Sequence, residues 1–259
     1  MIELAVISGS GFYDFPDLKE GDNKVIQTKF GKAAIRTGII GGRKMAFLAR
    51  HGKRHSLLPN MINYRANLMA LKELDTQAII ATTVCGVLDP GLPLARPAVF
   101  DDLYFPDNRL PSGEACSIYI YNDAEERSKG HYIFSNPFSE ELRQQVIAAA
   151  DDPITDAVYA HACGPRFNSK PEIRMLQSFA SFVSQTAGPE IVLAGELEIP
   201  FALIGFGVDY ANGVKEEPTP VEVLSENLRN SKGVFIEIIK KVMKSYKVPR
   251  FTGFIYRFN

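Results

Sequence analysis

Ile2-Glu3-Leu4-Ala5-Val6-Ile7-Ser8-Gly9-Ser10-Gly11 opens with a short apolar run and closes on a glycine-serine turn. A run this short and apolar, ended by turn residues, reads as a buried strand. In such a turn the backbone N–H groups converge, and Ser10 adds a hydroxyl, so the segment is either an anion cradle or simply a tight turn. A dinucleotide-binding fingerprint needs a third glycine at position 14, where the chain has Asp14, so a nicotinamide cofactor is disfavoured.

Strand-then-turn recurs along the chain. Residues 33–49 read as a hairpin around Gly41-Gly42. Residues 60–74 place Ile62, Ala66, Met69 and Leu74 at helical spacing behind Asn60 as cap. Gln77 to Thr83 is a buried-strand candidate, as is 97–105, whereas 107–130 is polar and reads as an irregular excursion. Residues 139–150 form a helix capped by Ser139, with Leu142, Val146 and Ala149 on one face. Strands are expected at 156–162, 180–185 and 200–208, and a helix starts near Pro189. The last helix, 220–246, carries Val221, Leu224, Leu228, Phe235, Ile238 and Val242 on one side. Strands alternating with helices over 1–259, with no repeat or linker, predict a single α/β domain with a central mixed sheet flanked by helices.

Composition narrows the function. The chain of 259 residues has 46% hydrophobic and 23% charged residues and a formal charge of -1, so it is globular, and a nucleic-acid partner is disfavoured. Cys85, Cys116 and Cys163 are too far apart for a zinc motif or a disulfide framework and suit a reducing compartment. The N-terminus lacks the basic region of a signal peptide and no stretch has the length of a membrane span, which favours the cytoplasm and no membrane partner.

Five further segments carry chemistry, each with a plainer structural alternative. Leu48-Ala49-Arg50-His51-Gly52 puts a guanidinium at a strand end, either for an oxyanion or as a surface charge, and His55 reads as a polar loop residue. Thr82-Thr83-Val84-Cys85-Gly86 offers hydroxyls and an amide, or two threonines ending a strand. In Gly164-Pro165-Arg166-Phe167-Asn168-Ser169, followed by Glu172, Phe167 can stack on a flat ring, or the segment is a capped helix start with Phe167 in the core. Gln185-Thr186-Ala187-Gly188-Pro189-Glu190 sets Thr186 at a helix N-terminus, with Glu190 either facing sugar hydroxyls or favouring the first turn. Asp209, at the end of a buried strand, needs a partner or a task, or else caps a turn.

Taken in order, these segments resemble the trimeric purine nucleoside phosphorylases, and most closely their methylthioadenosine phosphorylase branch. The resemblance runs through Asn63 to Asn67, Ala70 to Glu73, Gly164 to Phe167, Pro189 to Ala194 and Asp209-Tyr210 as well as the segments above. It implies a phosphorylase/hydrolase-like fold and phosphorolysis of a purine nucleoside, with inorganic phosphate as co-substrate and no metal or organic cofactor. It implies that Ser10, Arg50, His51, Thr83, Val84 and Thr186 hold phosphate. Phe167, Asn168 and Asp209 would face the purine, Gln185 and Glu190 the ribose, and Leu224 with Val221 the 5′ substituent. Asp209 would be the catalytic acid. His131, supplied by a neighbouring subunit of a homotrimer or dimer of trimers, would close over the sugar.

The chain departs from that family's pattern. Gln185 stands where methionine is usual, and Ala211 where the methylthioadenosine branch has a second aspartate. Asn168 stands where 6-oxopurine enzymes have glutamate, and Asp209 where they have asparagine. Leu94-Ala95-Arg96-Pro97 replaces a Gly-Asp turn. These departures leave the base open between adenine, favoured by Asp209, and a 6-oxopurine. They also leave open a hydrolytic nucleosidase or a non-catalytic purine-binding relative.

Overall fold

The computed structural model describes residues 1–120 and 129–257. Strand β1 (Leu4–Ser8) is wholly buried, as an apolar run of this kind must be to bind water-free on both faces. It is followed by β2 (Lys19–Thr28), β3 (Gly31–Ile40) and β4 (Arg43–Ala49). Positive φ at both Gly41 and Gly42 makes the two-residue turn that joins β3 to β4 as a hairpin. Helix α1 (Tyr64–Glu73) is capped by Asn63, whose side chain accepts from the Ala66 N–H. The expected cap, Asn60, lies instead in a short 3₁₀ turn at Pro59–Met61 that precedes the helix.

Next come β5 (Ile79–Val87), β6 (Pro97–Val99), β7 (Asp102–Tyr104), β8 (His131–Ile133) and α2 (Glu140–Ala149), with Ser139 as its cap. The strand expected over 97–105 is thus two. Its first half pairs antiparallel with a later strand and its second half pairs parallel with another, so the chain must turn at Phe100-Asp101. The expected excursion at 107–130 holds an isolated bridge, Arg109 to Ala115, and residues 121–128 of it lie outside the described part.

The remainder is β9 (Val158–His161), α3 (Lys170–Leu176), β10 (Phe182–Ser184), α4 (Ala187–Glu196), β11 (Phe201–Tyr210), α5 (Val221–Ser245) and β12 (Phe254–Tyr256). Of the face predicted for α5, Phe235, Ile238 and Val242 are buried, Leu224 and Leu228 are partly covered, and Val221 is exposed. The first turns of α5 therefore run past the edge of the core.

Ten strands form one mixed sheet, and β8 and β12 form a separate two-stranded one. Apolar side chains pack on both faces of the large sheet: one layer includes α1 and α4, the other α2 and α5. Among the described residues no helix is long and apolar enough to cross a membrane.

Strand β5 sets up the site. Along one edge it pairs with β11 from Ile79 to Val87. Its other edge is divided: β1 pairs parallel with Ile79 to Ala81, and β10 pairs antiparallel with Gly86 and Val87. Residues Thr82 to Cys85 fall between the two partners. A sheet that splits in this way opens a crevice at the strand ends, which is where α/β proteins bind ligands.

Candidate functional site

The segments singled out in the sequence meet beside this split. Ser8 ends β1 opposite Ala49 at the end of β4, so the turn at Gly9–Gly11 and the pair Arg50-His51 leave neighbouring strands side by side. The Gly9 N–H donates to Thr82 Oγ1 at 3.4 Å, and Arg50 Nη1 donates to the Thr82 carbonyl at 2.7 Å. Across the split, Thr83 Oγ1 and Ser184 Oγ are 2.7 Å apart. Ser184 leads directly to Gln185 and Thr186, and the first N–H of α4, on Ala187, donates to the Tyr159 hydroxyl at 3.1 Å. Ser10, Arg50, Thr83, Val84 and Thr186 are thereby drawn to one group of strand ends, although they are far apart in sequence.

Gly9 is required there by close approach. A Cβ on it would stand 2.8 Å from Arg50 Nη1 and 2.9 Å from the Thr82 carbonyl oxygen. Thr186 is the N-cap of α4, is buried, and makes no capping bond with its own hydroxyl. A helix N-terminus carries partial positive charge, and the Thr186 hydroxyl there is not used by the helix itself.

Arg50 differs from the sequence expectation in one respect. Its Nε and Nη2 donate to the two carboxylate oxygens of Glu190 at 2.6 and 2.8 Å, with both side chains buried. Burial opposes the guanidinium charge, but Glu190 outweighs it and holds the pKa above its ordinary value. With Nη1 on Thr82 and Nη2 also 3.5 Å from the Ile7 carbonyl, one Nη1 hydrogen is left of the five. Glu190, read in the sequence as facing sugar hydroxyls or favouring the first turn, has each of its carboxylate oxygens on Arg50. Glu190 is a lone carboxylate in the apolar first turns of α4, which signals a need for a cation once buried but not which one.

His51 is buried, and its Nδ1 lies 2.8 Å from the Leu57 carbonyl. Its ring stacks on that of His55 with centroids 4.1 Å apart. His55 Nδ1 in turn is 3.0 Å from the Tyr13 hydroxyl. Burial, followed by the neighbouring Arg50, pulls the His51 pKa down to about 4. His55, read in the sequence as an ordinary loop residue, is thus the platform under His51.

The residues that the resemblance sets against the purine form a second group. Phe167 is 80% exposed on the loop between β9 and α3, so it is not a core residue, while Ser169 and Glu172 form the capping box of α3. Gln185 Nε2 donates to the Arg166 carbonyl at 2.8 Å, and Asn212 Nδ2 donates to the Asn168 carbonyl at 2.7 Å. These two amides tie the loop to the ends of β10 and β11. Asp209, opposite Gly86 of β5, is partly buried, and burial pushes its carboxyl up to about 6. Leu224 lies in the first turns of α5, and Gly11 packs against Leu228 one turn further on.

His131 stands apart from this group. It lies on β8 and lines a cleft of about 490 Å³ with Leu103, Tyr132, Val192 and Glu196. Tyr132 packs against Gly195, near the end of α4 opposite to Thr186. At helical rise the separation between those positions is about 13 Å. Within its own chain His131 does not join the cluster.

The sequence profile of the Phosphorylase superfamily matches residues 3–244. The chain is 32% identical over 251 residues to a probable 6-oxopurine nucleoside phosphorylase of Dictyoglomus turgidum, covering 94% of this chain and 93% of that one. It is also 32% identical over 256 residues to an S-methyl-5′-thioadenosine phosphorylase of Nitrosopumilus maritimus, with coverages of 94% and 93%. Among solved structures, methylthioadenosine phosphorylase from Schistosoma mansoni in complex with adenine superposes with a TM-score of 0.84 at 26% identity, over 95% of this chain and 93% of that chain. Motif order, split sheet and whole-chain similarity agree, and the chain belongs to the phosphorylase superfamily.

Proposed function

We propose that this protein cleaves the glycosidic bond of a purine nucleoside with inorganic phosphate, releasing the free base and a ribose 1-phosphate derivative. The C1′–N9 bond breaks with its electron pair passing to the base, and a phosphate oxygen forms the new bond to C1′. Phosphate held beneath the sugar both stabilises the positive charge that builds on the ring and attacks it. Ser10, Thr83, the Val84 backbone, Thr186, the remaining Arg50 hydrogen and His51 form the phosphate cradle. Phe167 stacks on the purine and Gln185 sits at the ribose.

The base is adenine in this reading, and the observation that carries it is the burial of Asp209. A carboxyl with a pKa near 6 keeps part of its proton close to neutrality, and a protonated carboxyl offers one donor and one acceptor. The outer edge of adenine presents the complement, an acceptor at N7 and a donor at N6, whereas a 6-oxopurine presents two acceptors. The same proton serves N7 as the base departs, general-acid help of the kind typically worth on the order of 10²–10⁴-fold. Leu224 is apolar and suits a 5′-methylthio group, so 5′-methylthioadenosine is the substrate proposed.

A 6-oxopurine nucleoside is the second reading. It is favoured by Ala211, which removes one acceptor for an adenine amino group, and by the relatives named for that activity. The two are separated by incubating the protein with methylthioadenosine, adenosine and inosine, with and without phosphate. Phosphate-dependent release of adenine, fastest from methylthioadenosine, is expected. Faster release of hypoxanthine selects the second reading. Equal rates without phosphate exclude phosphorolysis.

A further inference from the structure

The proposed phosphate cradle is nearly neutral. The Arg50 charge is offset by the Glu190 carboxylate, which takes two of its nitrogens. In the other ring of the cradle, His51, geometry fixes which nitrogen carries the first proton. A carbonyl oxygen only accepts hydrogen bonds, so the 2.8 Å contact to the Leu57 carbonyl requires the proton on Nδ1. In the neutral ring the other nitrogen, Nε2, then carries a lone pair. Burial, the Arg50 guanidinium beside the ring and the His55 ring stacked on its face oppose a second proton, and together they outweigh the Leu57 carbonyl, which favours one. The Tyr13 hydroxyl holds His55 from the far side, which fixes the stack.

We infer that His51 acts in the oxyanion cradle as a hydrogen-bond acceptor, through Nε2, and so selects a tetrahedral dianion that carries an O–H over one that carries none. This rests on the reading that the cradle takes phosphate. Hydrogen phosphate has such a hydroxyl at every pH near neutrality; sulfate does not. Against sulfate the Nε2 lone pair faces an oxygen lone pair, and a buried acceptor is left unmade. His51 is thus a specificity residue. The other groups of the cradle donate to either anion alike.

Anion binding to the intact protein tests this by isothermal calorimetry, with phosphate, sulfate and monofluorophosphate as probes. Monofluorophosphate keeps the phosphorus and the shape of phosphate but has no hydroxyl at neutral pH. Sulfate and monofluorophosphate are both expected to bind at least about 30-fold more weakly than phosphate. In His51→Gln, whose amide can turn a donor to the anion, the gap is expected to shrink about tenfold or more. Sulfate within threefold of phosphate on the unaltered protein overturns the proposal. So does monofluorophosphate binding as well as phosphate, because selection would then not read the proton. A folded His51→Gln variant with unchanged selectivity overturns the assignment to His51. These are binding measurements, so absence of nucleoside cleavage would count against the reaction proposed above and leave this result to stand by itself.

Discussion

Asp209 and Arg50 are both ionisable, the first partly and the second wholly buried, and they are oppositely served by their surroundings. Burial raises the Asp209 carboxyl to about 6. Its useful form in the proposed reaction is the protonated one, which is lost as pH rises through that value. With the phosphate dianion kept saturating, kcat/KM for the nucleoside is therefore expected to be level below about 6 and to fall toward a tenfold loss per pH unit above it. Asp209→Asn is expected to lower kcat by about 10²–10⁴-fold with little change in the phosphate KM, because its partner is the leaving base. A pH–rate profile together with phosphate titrations of the variant checks both; a variant that chiefly raises the phosphate KM would relocate Asp209 to the other side of the sugar.

Arg50 tells the opposite story. Its pairing with Glu190 at 2.6 and 2.8 Å makes it a structural centre besides its proposed part in the phosphate cradle. Removing one member of such a pair strands the other charge in the core, at a cost of about 3–5 kcal/mol. Arg50→Ala is thus expected to unfold at clearly lower urea concentration, and Arg50→Met with Glu190→Leu to recover most of the loss. Urea unfolding of the two single variants and the double variant measures the coupling. A sequence reading foresees the need for an oxyanion ligand in Arg50 but not how few of its hydrogens stay available.

At the scale of elements, glycines decide how closely α4 can approach the sheet. A Cβ on Gly188 would stand 2.6 Å from Cγ and 2.7 Å from Cβ of His161, atoms that cannot swing away as a flexible chain end would. His161 is itself buried, its Nδ1 has no partner, and burial drives its pKa to about 3, so it packs as a neutral ring. Gly188→Ala is expected to push out the first turn of α4, costing about 1–3 kcal/mol, and to raise the phosphate KM by displacing Thr186. His161→Gly on the same background removes both of these atoms and is expected to restore the phosphate KM. Thermal melts and phosphate titrations follow the rescue, and a double variant no better than Gly188→Ala would show that the clash is not what matters.

The elements most legible in the sequence were those whose pattern is dictated locally. Ser139 and the Leu142-Val146 face announced α2, the Gly41-Gly42 pair announced its hairpin, and the apolar run before Ser8 announced β1. Strand β2 was missed because it is an exposed edge rich in lysine and acid, with little apolar alternation. The break of 97–105 into β6 and β7 was missed because only distant partners, β11 and β9, create it. The site divides the same way. Strand-end residues such as Ser10 and Thr83 carry their signal in sequence order, whereas the Arg50–Glu190 pair and the His51–His55 stack arise when separate turns are folded together.

For the whole molecule, the position of His131 poses a question of assembly. It sits by the far end of α4 in its own chain, yet the family resemblance gives it a place over the sugar. One chain satisfies both only by lending His131 to the site of another. In a cyclic assembly with head-to-tail contacts, each site then takes Asp209 from one copy and His131 from the next. Two variants, Asp209→Asn and His131→Ala, would each be impaired alone. Co-expressed in equal amounts they would form mixed rings in which about one quarter of the sites hold both intact residues, whatever the ring size. Recovery of about that fraction of the unaltered activity is therefore expected, alongside a light-scattering mass of at least three chains. If mixed assemblies recover nothing, or if a fully active monomer is found, each copy completes its own site and His131 has no part in it; the β8–β12 sheet would then owe its position to packing alone.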